Sequence, residues 1–186
     1  CMARLKEAGH GVQLITSSHQ ISSFKINTDR NLLDFARDYV IDGVKVTFFV
    51  HGRTDTQRAF YQSAATVRDE TTGLTLLGLE GLGVAKTLVL AHRVRSRDLY
   101  DLHVLMRDHG YSLDHLFDTV RRLGTVDDPE YYKAVLRGEI PLDADDEGLE
   151  PVQIDAGIDG VYAFFNELLD DWETRRARDF FSGRSD

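Results

Sequence analysis

Two cations and two carboxylates between residues 86 and 101 have the types and spacing needed to bind a phosphate group. Lys86 and Arg93 are seven residues apart, so they share one face if this stretch is helical. Asp98 and Asp101 are three residues apart and share one face of a following helix. Such cations grip phosphate oxygens, while paired carboxylates either hold a hard divalent ion or orient a base. The cluster therefore predicts a site for a polyanion and a metal ion.

The same stretch also has a purely structural interpretation, which spacing alone favours. Arg97 and Asp101 are four residues apart and predict an ion pair on the helix surface. Asp98 falls in the first turn of that helix, where a carboxylate stabilises the helix dipole. On this interpretation the helix only packs, through an apolar face formed by Leu99, Leu102, Leu105 and Met106.

Other candidate metal sites in the sequence are weak. The acidic stretch 143–148 resembles the start of a calcium loop, but the position that needs a glutamate is Ile154. We therefore expect a solvent-facing acidic loop there. The histidines are scattered and the single cysteine is Cys1, so the sequence predicts no metal site built from histidine or cysteine ligands.

Composition limits the setting in which the chain works. The 186 residues have a formal net charge of -9, so any contact with nucleic acid must use a local basic patch. The sequence shows no signal peptide, and no apolar run reaches the roughly 18 residues of a membrane span. Together with the single cysteine, these features predict a cytoplasmic protein with no membrane partner.

The first part of the chain is rich in strand signals. We predict a helix over residues 2–8 and strands over 12–16 and 22–26. Asp42-Gly43 separates two β-branched runs, which is a strong signal of a type I′ hairpin.

The remainder of the chain has mainly helical periodicity. We predict helices over 56–66 and 80–92, and treat 74–78 as a strand or as the lead into the second helix. Three further helices are predicted from their start signals, which are Ser96, Ser112 and Asp128-Pro129. The last predicted helix has a long apolar stripe, formed by Val161, Phe164, Phe165, Leu168, Leu169 and Trp172. The predicted fold class is α+β, with a β-rich part over residues 1–78 and a helical region over 79–186.

The stretch that carries the candidate site resembles a known family. LEGLGVAKTLVLAHRVRSRDLYDLHVLMRDHGYSLDHLF, residues 79–117, is similar to the second half of the AbiEii-type nucleotidyltransferases. These are bacterial, polymerase-β-like enzymes that include toxins of toxin–antitoxin and phage-defence systems. The hairpin strand GVKVTFFV, residues 43–50, also resembles a strand of that family.

The resemblance implies roles for individual residues. Lys86, Arg93 and Arg97 would bind the phosphates of a nucleoside triphosphate (NTP). Lys86, Asp98 and Asp101 would be the catalytic residues of this half of the site. A complete site would use Mg²⁺ to transfer a nucleotide to tRNA or to a protein hydroxyl, and an antitoxin would be a further partner.

Two departures from the family pattern limit what this chain is expected to do. The family's metal-binding Asp-x-Asp precedes the hairpin, but here no Asp-x-Asp occurs before residue 141. A strand position that often carries a third carboxylate is Thr47. Because the chain begins at Cys1 and runs at once into a predicted helix, we expect a fragment or a truncated protein rather than a complete homologue that lost its chemistry. The alternative function is a non-catalytic module that binds a nucleotide, RNA or another protein.

Overall fold

The computed structural model divides into two compact units, Cys1–Arg58 and Ala59–Asp186. The residues that the structure describes are 2–16, 36–49, 52–71, 73–150 and 157–183. The described part is α+β, as the sequence predicts, with a small antiparallel sheet near the N-terminus and a helical part after it. The sequence-based division at residue 78 separates strand-rich from helix-rich chain rather than compact units, and it stays a prediction.

The first unit is built on a three-stranded antiparallel sheet. Helix α1, Met2–Glu7, precedes strand β1, Val12–Leu14, which pairs with β2, Ala36–Ile41. Strand β2 pairs in turn with β3, Val44–Phe49, in the order β1-β2-β3. The predicted helix and first strand are confirmed, whereas the predicted strand over 22–26 lies outside the described residues.

The hairpin between β2 and β3 turns where the sequence predicts. Asp42 has φ 48° and Gly43 has φ 83°, the two positive values that a type I′ turn requires. The Asp42 carboxylate also accepts a hydrogen bond from the backbone N–H of Gly11 at 2.7 Å and lies 2.6 Å from Nδ1 of His10. The turn is therefore tied to the residues that lead into β1.

A second sheet, of two strands, lies in the chain between the two helices that the sequence predicts over 56–66 and 80–92. Helix α2, Asp55–Ser63, ends three residues earlier than predicted, because Thr66–Arg68 forms strand β4. Strand β5, Thr75–Leu77, pairs antiparallel with β4. The strand interpretation of 74–78 is thus confirmed, and the predicted end of the helix at residue 66 is wrong.

Five further helices form the rest of the described second unit. They are α3, Leu79–Val89; α4, Ser96–His109; α5, Leu113–Leu123; α6, Pro129–Arg137; and α7, Ile158–Phe181. Two predicted caps are confirmed: Ser112 forms a capping box with His115, and the Asp128 side chain accepts from the backbone N–H of Glu130 at 3.1 Å. These caps fix where α5 and α6 begin.

The core of the second unit joins α4 to α7. Leu99 and Leu102 of α4 and Phe165 and Leu169 of α7 have no exposed side-chain area and belong to one apolar cluster. The predicted stripe of α7 is confirmed, with Val161 and Trp172 also buried. Burial of one face of α4 against this cluster fixes the rotation of the helix that carries Asp98 and Asp101.

Close packing also fixes α3. A Cβ atom on Gly83 would lie 2.6 Å from the ring of Tyr111, so only glycine allows the ring to approach this helix. The Tyr111 hydroxyl lies 2.9 Å from the hydroxyl of Thr87 on α3 and 3.3 Å from that of Thr119 on α5. This buried polar contact positions α3 against α5. Its residue on α3, Thr87, directly follows Lys86 in the chain.

Candidate phosphate-binding site

Asp98 is a buried carboxylate held by two cations. Its residue is only 2% exposed. Lys86 Nζ lies 2.8 Å from Asp98 Oδ1, while Arg93 Nε lies 2.8 Å from Oδ2 and Arg93 Nη2 lies 3.3 Å from Oδ1. Both carboxylate oxygens are thus engaged, and one anion positions two cations from different parts of the chain.

Asp101 completes the cluster from the same helix. Its Oδ2 lies 2.5 Å from Lys86 Nζ, so both carboxylates of α4 contact the one ammonium group. The predicted shared face of Asp98 and Asp101 is therefore confirmed by their common partner. The predicted surface pair between Arg97 and Asp101 is wrong, because Arg97 instead pairs with Glu147.

The ion pairs determine the protonation states in this cluster. Burial acts to lower the pKa of Lys86, but hydrogen bonds to Asp101 and Asp98 outweigh it and leave the pKa above its usual value. Burial acts to raise the pKa of Asp98, but hydrogen bonds from Arg93 and Lys86 outweigh it and lower the pKa. At neutral pH the site therefore presents fixed charges, which suit electrostatic binding better than proton transfer.

The segment between α3 and α4 presents the remaining cations. Helix α3 ends at Val89, so Arg93 reaches Asp98 from this connection rather than from the helix face that the sequence predicts. Leu90 and Val94 are buried and anchor the segment, while Arg93 stays largely exposed. The connection is further held by the hydroxyl of Tyr131, which donates to the carbonyl oxygen of Leu90 at 2.9 Å.

The acidic loop of residues 141–148 docks on this connection instead of facing only solvent. The backbone N–H of Asp143 donates to the carbonyl oxygen of Val94 at 2.9 Å, and Asp143 Oδ1 accepts from the N–H of Val94 at 3.2 Å. Asp145 Oδ2 lies 2.5 Å from Arg95 Nη2, and Glu147 pairs with Arg97. The acidic loop is solvent-exposed at Asp145 and Glu147, as the sequence predicts, but it is also bound to the chain about fifty residues earlier.

The same loop caps α4. Asp146 Oδ1 accepts hydrogen bonds from both the backbone N–H and the hydroxyl of Ser96, each at 3.1 Å. Ser96 is the first residue of the helix, and the N-cap position belongs to Arg95, whose side chain makes no cap hydrogen bond. The predicted role of Ser96 as the cap is therefore wrong. One N-terminal donor of α4, the backbone N–H of Ser96, is instead satisfied by a carboxylate from a distant loop.

Replacing Asp146 by alanine should destabilise the second unit by about 1–2 kcal/mol, as expected for the loss of a helix cap. Trp172 is the single tryptophan and lies in this unit, so its fluorescence during urea unfolding measures the change. Asp145→Ala is the matched control, since its carboxylate is 73% exposed and should contribute less than about 0.5 kcal/mol. Equal losses for the two variants would refute the capping role.

These residues line an open pocket of about 440 Å³. Its four cations are Lys86, Arg93, Arg95 and Arg97, and its four carboxylates are Asp98, Asp101, Asp146 and Glu147. Tyr100 also contributes to the wall. The structure thus brings together all five site residues that the sequence singles out, while their catalytic and binding roles stay predictions.

Four lining residues lie outside these five: Arg95, Tyr100, Asp146 and Glu147. The acidic loop carries four carboxylates and residues 93–97 carry three arginines, and this charge complementarity was the available signal. Charge complementarity identifies the two segments that meet. It does not identify which carboxylate pairs with which arginine, because the partners are about fifty residues apart in the chain.

The cluster does not suit Mg²⁺. Both oxygens of Asp98 and one oxygen of Asp101 already contact cations, which leaves no pair of carboxylates free to ligate a hard divalent ion. Among the residues that the structure describes, no group of three or more histidine, cysteine or carboxylate side chains is arranged to hold a metal ion.

Thr47, which the sequence singles out on the hairpin, also has a defined environment, within the first unit. Thr47 Oγ1 donates to Oδ1 of Asp38, its cross-strand partner, at 2.7 Å. Lys45 Nζ lies 4.0 Å from the other oxygen of Asp38. In this pair of strands the carboxylate is therefore that of Asp38 on β2, and Thr47 lies opposite it on β3.

Comparison of the chain with protein-family models, curated proteins and solved structures gives no match. In the described ranges, none of the helices combines the length and the apolar character that a membrane crossing requires.

Proposed function

We propose that this chain is a nucleotidyltransferase-like protein of the AbiEii type that binds the phosphates of a nucleotide at Lys86 and Arg93. The observation that carries the proposal is the convergence of these two cations on buried Asp98 at the edge of an open pocket. The order of lysine, arginine, Asp98 and Asp101 in the sequence is what the resemblance to that family rests on.

The cations retain donors for a ligand. A lysine ammonium has three N–H donors, and the Lys86 ammonium directs two of them to Asp98 and Asp101. An arginine guanidinium has five, of which Arg93 directs two to Asp98. Their side chains are 23% and 46% exposed, so a phosphate can reach both groups while Asp98 holds them in place. Prepositioned cations of this kind bind phosphate oxygens by charge-assisted hydrogen bonds.

Each residue then has a definite task. Lys86 and Arg93 contact the phosphate oxygens and offset their negative charge. Asp98 and Asp101 act through the cations by orienting the Lys86 ammonium, and Asp98 also orients Arg93. Because the family's Asp-x-Asp does not occur before residue 141, we expect binding of a nucleotide by this chain without efficient transfer.

Replacing Lys86 by methionine should weaken the binding of ATP by about tenfold or more, the usual effect of losing one charge-assisted hydrogen bond. Asp98 keeps Arg93 as a partner, so the variant should fold. Isothermal calorimetry measures the affinity, and Lys45→Met is the matched control because Lys45 lies on β3 in the other unit. The proposal is wrong if Lys45→Met and Lys86→Met weaken binding equally, or if the wild-type chain binds no nucleotide.

The metal dependence of binding separates this proposal from the alternative, a non-catalytic nucleotide- or RNA-binding or protein-interaction module. Affinity that is unchanged by chelation of Mg²⁺ favours a phosphate-gripping module. Binding that requires Mg²⁺ favours a residual enzyme site. Incubation with labelled nucleotides, Mg²⁺ and bulk tRNA should give no efficient transfer.

A further inference from the structure

The acidic loop makes two kinds of contact with residues 94–97, which cover the end of the α3–α4 connection and the first residues of α4. Asp143 and Asp146 bond to backbone groups, at Val94 and Ser96, and so fix the path of the loop. Asp145 and Glu147 bond only to side chains, at Arg95 and Arg97, and are 73% and 67% exposed. The first pair anchors the loop, and the second pair neutralises two arginines at the rim of the pocket.

The exposed pair holds its arginines weakly. Ion pairs between solvent-exposed side chains contribute little to stability, because water and salt compete for both partners. Either carboxylate can turn into solvent by rotation of its own side chain, while the anchoring contacts keep the backbone of the loop in place. Releasing Arg95 and Arg97 therefore requires no opening of the loop.

Arg95 also has unused capacity for an anion. Its Nε is buried and has no hydrogen-bond partner, and Asp143 Oδ2 lies 3.8 Å from it. A phosphate group carries three or four acceptor oxygens, whereas each loop carboxylate carries two. A phosphate in place of the Asp145 carboxylate would thus find a donor that the loop leaves unsatisfied.

We propose that Arg95 and Arg97 form a second phosphate subsite beside Lys86 and Arg93, and that Asp145 and Glu147 occupy it as internal competitors. This rests on the proposed phosphate site at Lys86 and Arg93. A ligand with a chain of phosphates displaces both loop carboxylates, whereas a single phosphate is satisfied at the first subsite. The loop therefore makes the site selective for polyphosphates and sensitive to salt.

The test compares the binding of tripolyphosphate and orthophosphate to five chains, the wild type and four variants, in metal-free buffer by calorimetry. Asp145→Asn/Glu147→Gln removes the competing charges but keeps the two anchoring carboxylates. Its affinity for tripolyphosphate should rise by about five- to tenfold, and its affinity for orthophosphate by less than about twofold. Adding Arg97→Met to this loop variant should return the tripolyphosphate affinity towards that of the wild-type chain.

The fourth chain controls for net charge. Glu167→Gln/Asp171→Asn makes the same change of two charges at exposed positions on α7, and it should leave both affinities unchanged. An equal gain in this control would overturn the inference, because the loop contacts would then be irrelevant. An unchanged affinity in the loop variant would overturn it as well.

Lys86→Met separates failure of this inference from failure of the proposed function. If Lys86→Met abolishes tripolyphosphate binding and the loop variant shows no gain, the first site stands and the second subsite is wrong. If the loop variant gains affinity for tripolyphosphate and Lys86→Met does not reduce tripolyphosphate binding, the second subsite stands and the proposed site at Lys86 is wrong. If no chain binds either anion, both are wrong.

Discussion

Replacing Lys86 and Arg93 together by methionine is expected to lower the free energy of unfolding by about 3–5 kcal/mol at pH 7, the usual effect of leaving a buried charge without its partner. The double substitution removes both cations from Asp98, which stays buried at 2% exposure. Neither methionine offers a hydrogen bond to the carboxylate. The measurement is urea unfolding followed by the fluorescence of Trp172, which lies in the same unit.

The pH dependence of this loss gives a second readout. In the wild-type chain the pKa of Asp98 lies below its ordinary value of 3.8, so its ion pairs stabilise the fold above that pH and are lost as the pH falls through the folded-state pKa. In the double variant burial acts alone and raises the pKa above 3.8, so the variant loses stability as the pH rises. The difference between the two proteins should therefore be largest near pH 7 and shrink as the pH approaches 3.8.

A third substitution supplies the control. Adding Asp98→Leu to the double variant removes the uncompensated charge and should recover most of the lost stability, because an apolar group of similar volume can replace a buried ion pair. A triple variant that remains as unstable as the double variant would show that the methionine side chains, not the buried carboxylate, cause the loss. Both variants should lack phosphate binding, so the comparison separates stability from function.

The other large effect is expected in the core. Phe165→Ala should lower the free energy of unfolding of the second unit by about 3–5 kcal/mol, because it deletes a fully buried aromatic ring and leaves a cavity. Phe165 belongs to the cluster that also contains Leu99 and Leu102 of α4, so the loss acts on the helix that carries Asp98 and Asp101.

Phe181→Ala is the matched control for this prediction. Phe181 ends the same helix and is 86% exposed, so its truncation should change the stability by less than about 0.5 kcal/mol. Urea unfolding measured through Trp172 applies to both variants. The stripe would not be the core of this unit if the two truncations had similar effects.

Elements defined by neighbouring residues are the ones that the sequence predicts correctly. The turn at Asp42-Gly43 depends on two residues that tolerate positive φ. The caps at Ser112 and Asp128 reach donors no more than three residues away. The stripe on α7 follows the helical period along a single helix. In each case the interacting groups lie close together in the chain, so the local sequence contains the whole signal.

The errors arise where the partner is distant in the chain. The helix predicted over 56–66 stops at Ser63, because the following residues pair with a strand that begins at Thr75. Ser96 does not cap α4. Its own backbone N–H and hydroxyl instead donate to Asp146, fifty residues away in the chain. Arg97 takes Glu147 instead of Asp101, although Asp101 lies one helical turn along the same helix.

The candidate site shows the same division. The sequence by itself determined the five residue types and their order. It also determined the shared face of Asp98 and Asp101, because residues three apart on a helix lie on the same side. Only the tertiary structure decided that Asp98 is buried, that Lys86 and Arg93 both contact it, and that an acidic loop neutralises the next two arginines. Charges pair with whichever opposite charge the packing of the helices brings within a few ångströms, and a linear sequence does not state that distance.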